Sequence, residues 1–170
     1  MKKHIELTGY GAGRDTTVGS LTGNLIELLS AMRDDGRSLI ALAEFSDVRY
    51  VQFYVDGDGD VTGEVISNLN IGDAIALQPE DEDALRALGF NEPAYGPYPN
   101  WWVRAYTSED FATMAATMNA AIYNVLREQP NNVVTVSTWP ASVSADMTSD
   151  EARALFRVHV EEGTGDLLDD

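Results

Sequence analysis

Apolar positions recur at two different spacings along this chain, and the change of spacing marks its elements. Val18, Leu21, Leu25, Leu28, Leu29 and Met32 fall on one face of a helix, which predicts a helix over Thr17–Asp34. Thr17 or Ser20 suits its N-cap, and Gly36 suits its end. The spacing then drops to two. Leu39–Phe45, Arg49–Val55 and Val61–Asn68 read as strands. Asp56-Gly57-Asp58-Gly59-Asp60 joins the last two as a hairpin loop, because Asp and Gly tolerate the positive φ of tight turns. Pro79–Leu88 is predicted as a short helix. Pro79 fits its first turn, Glu80, Asp81, Glu82 and Asp83 complement the positive end of its dipole, and Gly89 follows its end.

Asn91–Asn100 holds three prolines and reads as a loop, and Trp101–Tyr106 reads as a fourth strand. Ser108–Glu128 is predicted helical, with Phe111, Met114, Ala115, Met118, Ile122, Val125 and Leu126 on one face and Thr107 with Asp110 as a capping box. Val133–Trp139, rich in Val and Thr, is a fifth strand. A linker over Pro140–Thr148 and a last helix from Ser149 to about Val160 follow. The expected organisation is a mobile arm over residues 1–16 (at most a short strand at Ile5–Leu7), an α+β domain over 17–128, and an extension over 129–170. That extension holds the fifth strand, the last helix and an acidic, mobile tail.

Neighbours in a strand point to opposite faces. One set, Val51, Phe53, Val55, Trp101 and Val103, is apolar and belongs under helices. The other set, Tyr50, Gln52, Tyr54, Trp102, Arg104 and Tyr106, mixes aromatic and polar groups. A large aromatic buries roughly 150–250 Å², worth several kcal/mol at about 25 cal/mol per Å². Something should therefore cover the second face: a helix, the C-terminal extension with its segment over residues 130–160, a second copy, or a client. Aromatic residues and Arg are also the usual anchors of interfaces.

Composition narrows the function classes. The 170 residues suffice for one domain with a sizeable core. A formal net charge of −17, from 28 acidic and 11 basic residues, argues against nucleic acid and anionic membranes and favours a basic partner. There is no cysteine, so neither disulfides nor thiolate metal sites arise. The first residues lack the long apolar run of a secretory signal, and no stretch is long and apolar enough to span a bilayer, so a cytoplasmic location is expected.

Catalytic and metal-binding motifs are not recognisable. Gly9, Gly11 and Gly13 do not follow the spacing of a dinucleotide loop. An EF-hand loop counted from Asp56 would need Gly at position 6 and Glu at position 12, where Val61 and Ser67 stand. Weak cation binding by the three close carboxylates is the residual alternative. The two histidines, His4 and His159, lie near the ends, and neither GxSxG nor HExxH occurs. No catalytic residue, metal ligand or cofactor is assigned.

Arg49–Asn68, the helix end Leu85–Phe90, and Pro99-Asn100-Trp101-Trp102 followed by an amphipathic helix resemble one family of small bacterial proteins. It is the TY-Chap group, the type III secretion chaperone and YbjN-like peptide-binding chaperone fold. The order helix–strand–strand–strand–helix–strand–helix agrees with it over about residues 17–128. The resemblance implies a two-layer α+β sandwich, with an antiparallel sheet packed against helices, no catalysis, and binding of a peptide or protein client.

The expectation is a chaperone or adaptor that holds its client on the second face or along an exposed strand edge, through Tyr50, Gln52, Tyr54, Trp102, Arg104 and Tyr106. Homodimerisation through the same face would compete with the client. The alternative is an acidic inhibitor or immunity-type protein that neutralises a basic enzyme and releases it in salt.

Overall fold

Asp56 turns the chain back on itself. Its N–H donates to the Asp60 carbonyl at 3.0 Å, and its Oδ1 accepts from the N–H groups of Asp58 and Asp60 at 2.9 and 3.1 Å. Gly59 takes φ 85°, which costs a residue without Cβ little. The turn sets Val55 opposite Val61, and every pairing behind it, down to Val51 opposite Val65, follows.

The computed structural model describes residues 14–34, 38–47, 49–56, 58–68, 76–94 and 99–140. In chain order these form β1 (Arg14–Thr17), α1 (Val18–Gly23), α2 (Leu25–Asp34), β2 (Leu39–Phe45), β3 (Tyr50–Val55), β4 (Val61–Val65), α3 (Pro79–Ala87), β5 (Trp101–Ala105), α4 (Phe111–Ala120) and β6 (Val133–Pro140). The strands make one six-stranded sheet in the order β1-β6-β2-β3-β4-β5. Every pairing is antiparallel. The α+β class and the helix-backed antiparallel sheet are as expected.

The helices cover one face. Ala41, Ala43, Val51, Phe53, Val61, Val65, Trp101, Val134 and Val136 meet Leu25, Leu29 and Met32 of α2 and Phe111, Met118 and Ile122 beyond β5 in one buried cluster. At the centre of β4, Gly63 lets α4 come close. A Cβ built there would lie 2.9 Å from Met118 Sδ, inside any real contact.

Several boundaries differ from the sequence reading. Arg14–Thr17, at the end of the expected arm, is a strand paired with β6. The helix expected over Thr17–Asp34 is two helices. Asn24 closes the first, donating from its N–H and its side-chain amide to the Ser20 carbonyl, and its own carbonyl accepts from Leu28 to open the second. Thr17 does cap, its Oγ1 accepting from Ser20 N–H at 3.1 Å.

The third strand ends at Val65, three residues early. The helix expected over Ser108–Glu128 begins as a 3-10 turn at Ser108–Asp110, and α4 widens into a π turn over Ala121–Val125. Arg127 then takes φ 56°. The strand placed beyond residue 128 lies inside the sheet, between β1 and β2. The glycine-rich start, the last helix and the acidic tail fall outside the described residues.

Candidate partner-binding face

Strand alternation places Gln52 and Tyr54 of β3, Thr62 and Glu64 of β4, and Trp102 and Arg104 of β5 on the face away from the helices. The register lines them up in two rows. Gln52 stands opposite Glu64 and Glu64 opposite Trp102, while Tyr54 stands opposite Thr62 and Thr62 opposite Arg104. Each row crosses three strands, where directly opposed side chains are close enough to touch.

The six residues named from sequence share this face but not one environment. Tyr50 is buried, at 1 % exposure, so it reaches a partner only if the face opens. Gln52, Tyr54, Trp102 and Arg104 are partly buried. Tyr106, just past the end of β5, is 59 % exposed. The Arg104 guanidinium lies 5.9 Å from the centre of the Trp102 ring, within cation–π range, and its Nε faces Thr62 Oγ1 at 3.4 Å.

A buried polar cluster underlies the first row. Gln52 Nε2 donates to Glu64 Oε2 at 2.7 Å, and Asn100 Nδ2 approaches Glu64 Oε1 at 3.4 Å. The same Asn100 amide lies 3.3 Å from the Tyr50 hydroxyl, and its Oδ1 accepts from Ser67 N–H at 3.3 Å. Burial raises the Glu64 carboxyl above its ordinary pKa, and the hydrogen bonds from Gln52 and Asn100 oppose that rise only in part.

Neither Glu64 nor Asn100 is among the site residues that the sequence singles out. The hairpin arithmetic could have found Glu64, since pairing Val55 with Val61 forces Gln52 to face it. Asn100 stood in a proline-rich loop and carried no such signal.

The outer edge of β5 is largely closed to strand addition. Trp102 exchanges both backbone hydrogen bonds with Asn91, at 2.8 and 3.3 Å, and Tyr106 N–H donates to Asp110 Oδ2 at 3.2 Å. Beside that edge runs a cleft of about 310 Å³ lined by Leu88, Val103, Arg104, Tyr106, Met114 and Thr117, among others. Its walls come from β5 and α4, from the residues that follow α3, and from the turn between β5 and α4. Tyr106 and Arg104 thus belong both to the sheet face and to the cleft.

The comparison with known families decides the identity. Residues 19–140 match TY-Chap3, described as T3SS (YopN, CesT) and YbjN peptide-binding chaperone 3. The chain belongs to this family. No curated protein and no solved structure matches it. The TY-Chap match runs past the sequence-level resemblance to include β6. Among the described residues no group of three acidic or histidine side chains could hold a metal ion, and no helix is long and apolar enough to cross a membrane.

Proposed function

We propose that this TY-Chap3 protein is a non-enzymatic, cytoplasmic chaperone that holds an extended client segment across β3–β5, with one end of the segment entering the cleft beside β5. Tyr54, Trp102, Arg104 and Tyr106 make the contacts, and Tyr50 and Gln52 support them from below. The observation that carries this reading is the continuity of exposed Tyr106, just past the end of β5, with the partly buried Arg104 and Trp102 of that strand, opening onto a cleft of mixed polar and apolar lining. Aromatic groups and Arg anchor interfaces because they bury much area with few lost rotamers. Closure of the β5 edge at Trp102 and Tyr106 favours side-chain recognition over strand addition. A second copy docking on the same residues would compete with the client.

The test is binding of a fluorescent peptide library by the wild type, W102A, Y106A and I26A. Ile26 is 45 % exposed on α2, away from this face, and serves as the control. Loss of an anchor should weaken binding about tenfold or more, as for hot-spot residues. I26A should stay within about twofold of wild type. Unchanged binding by W102A and Y106A would place the client elsewhere. Binding that vanishes in salt in all four proteins would favour the acidic-inhibitor reading.

A further inference from the structure

Glu64 sits at the middle of the candidate face with no cation beside it among the described residues. It is 8 % exposed. Each of its carboxylate oxygens faces a neutral amide, Gln52 on one side and Asn100 on the other. Both contacts come from N–H donors, which is the arrangement that suits an ionised carboxylate. No ion pair reaches it among the described residues. Arg104, the basic residue of this face on β5, turns instead to Thr62 and the Trp102 ring.

The contrast within the same protein is Asp81, also buried, which has Arg127 Nη2 at 2.7 Å and the N-terminal turn of α3 around it. A buried charge without a counter-ion is costly, and folds normally pair it or replace it.

We infer that Glu64 is the receptor for a basic side chain of the client, so that the segment held on this face must carry an Arg or Lys at the position that crosses the Gln52–Glu64–Trp102 row. This rests on the peptide-binding reading above and adds the chemistry of its client. The row supplies what such a side chain needs. Glu64 offers the carboxylate, and Gln52, directly opposite it, an amide oxygen as a further acceptor. The burial that makes the Glu64 charge costly in the free protein makes it attract a cation more strongly, because the local dielectric is low. The 28 acidic residues draw a basic segment in from a distance, but only Glu64 fixes its register on the face.

The experiment uses labelled twelve-residue peptides selected from the library, each made with its central Arg, and again with citrulline, which keeps the shape and loses the charge. Affinities are measured by fluorescence anisotropy for the wild type and E64Q, in low and high salt. The Arg form should bind the wild type about tenfold or more tighter than the citrulline form, as for a charge-assisted contact. That preference should persist in high salt, since buried pairs are screened least.

E64Q should bind both forms alike. The Gln side chain is accommodated by rotating the Gln52 amide, and the salt arm on wild type reads the preference without any variant. A preference of equal size in E64Q, or one abolished by salt, would overturn the inference in favour of the general acidic field. Binding without any Arg preference would overturn it and leave the chaperone reading standing. No binding by any library peptide would remove both.

Discussion

Trp101 and Trp102 are neighbours with opposite tasks, and replacing the first separates them. Trp101 lies on the helix-covered face at 1 % exposure, and its indole Nε1 is buried with no hydrogen-bond partner among the described residues. Substituting Phe has two opposed effects. Losing the second ring removes buried apolar area and leaves a small cavity, at roughly 1–2 kcal/mol. Losing the N–H removes an unpaired buried donor, whose penalty is also about 1–3 kcal/mol. The two offset, so W101F should lie within about 1 kcal/mol of wild type. W101A relieves the same donor but empties the whole site and should cost about 3–5 kcal/mol. Urea unfolding followed by far-ultraviolet circular dichroism measures both, with an unchanged slope as the two-state control. W101F should also leave peptide binding intact, whereas W102F weakens it. A W101F protein as unstable as W101A would mean that the indole N–H has a partner or that the face assignment is wrong.

Two further substitutions probe single interactions. Burial raises the Glu64 pKa in the folded state, so between the unfolded pKa, about 4.3, and the higher folded one the native state holds the proton more tightly than the unfolded chain. Stability attributable to this group therefore falls as pH rises through that window. The stability of E64Q minus that of wild type should grow upward from about pH 4.3, and a flat or declining difference would contradict the burial. Arg127 holds a positive φ and pairs with buried Asp81. R127A loses the pair and keeps the left-handed backbone, while R127G loses the pair but relieves the backbone. In urea titrations R127G should be more stable than R127A by about 1 kcal/mol, and equal values would refute the strain.

The hairpin was legible because Asp and Gly fix its turn, and the turn fixes the register. From there the two faces of β3 and β5 follow by alternation, and Trp101 and Trp102 were correctly separated. What escaped the sequence was set by distant contacts. Arg14–Thr17 has no apolar periodicity and is a strand because β6 offers it a partner. The break at Asn24 is a side-chain closure inside an otherwise continuous helical pattern, and Tyr123 of the π turn meets Thr22 just before it through their hydroxyls at 2.7 Å. The place of β6 between β1 and β2 is a matter of topology, which composition does not encode. On the candidate face the aromatic residues announced themselves. Glu64 and Asn100 did not, because an acidic residue in an acidic chain and an Asn in a proline loop look like solvated surface until the fold buries them, at 8 % and 0 % exposure.

A client lying across β3–β5 on the face that carries Trp102 would change the surroundings of that indole and leave those of Trp101 alone. Two-dimensional ¹H–¹⁵N spectra of the protein, recorded while a library peptide is titrated in, read this residue by residue, because each indole N–H gives its own signal. Large shifts are expected for the Trp102 indole, the Gln52 side-chain amide and the Tyr106 backbone, with the Trp101 indole nearly still. Shifts confined to α1, α2 and the outer side of α4, with Trp102 and Gln52 unmoved, would contradict that placement of the client.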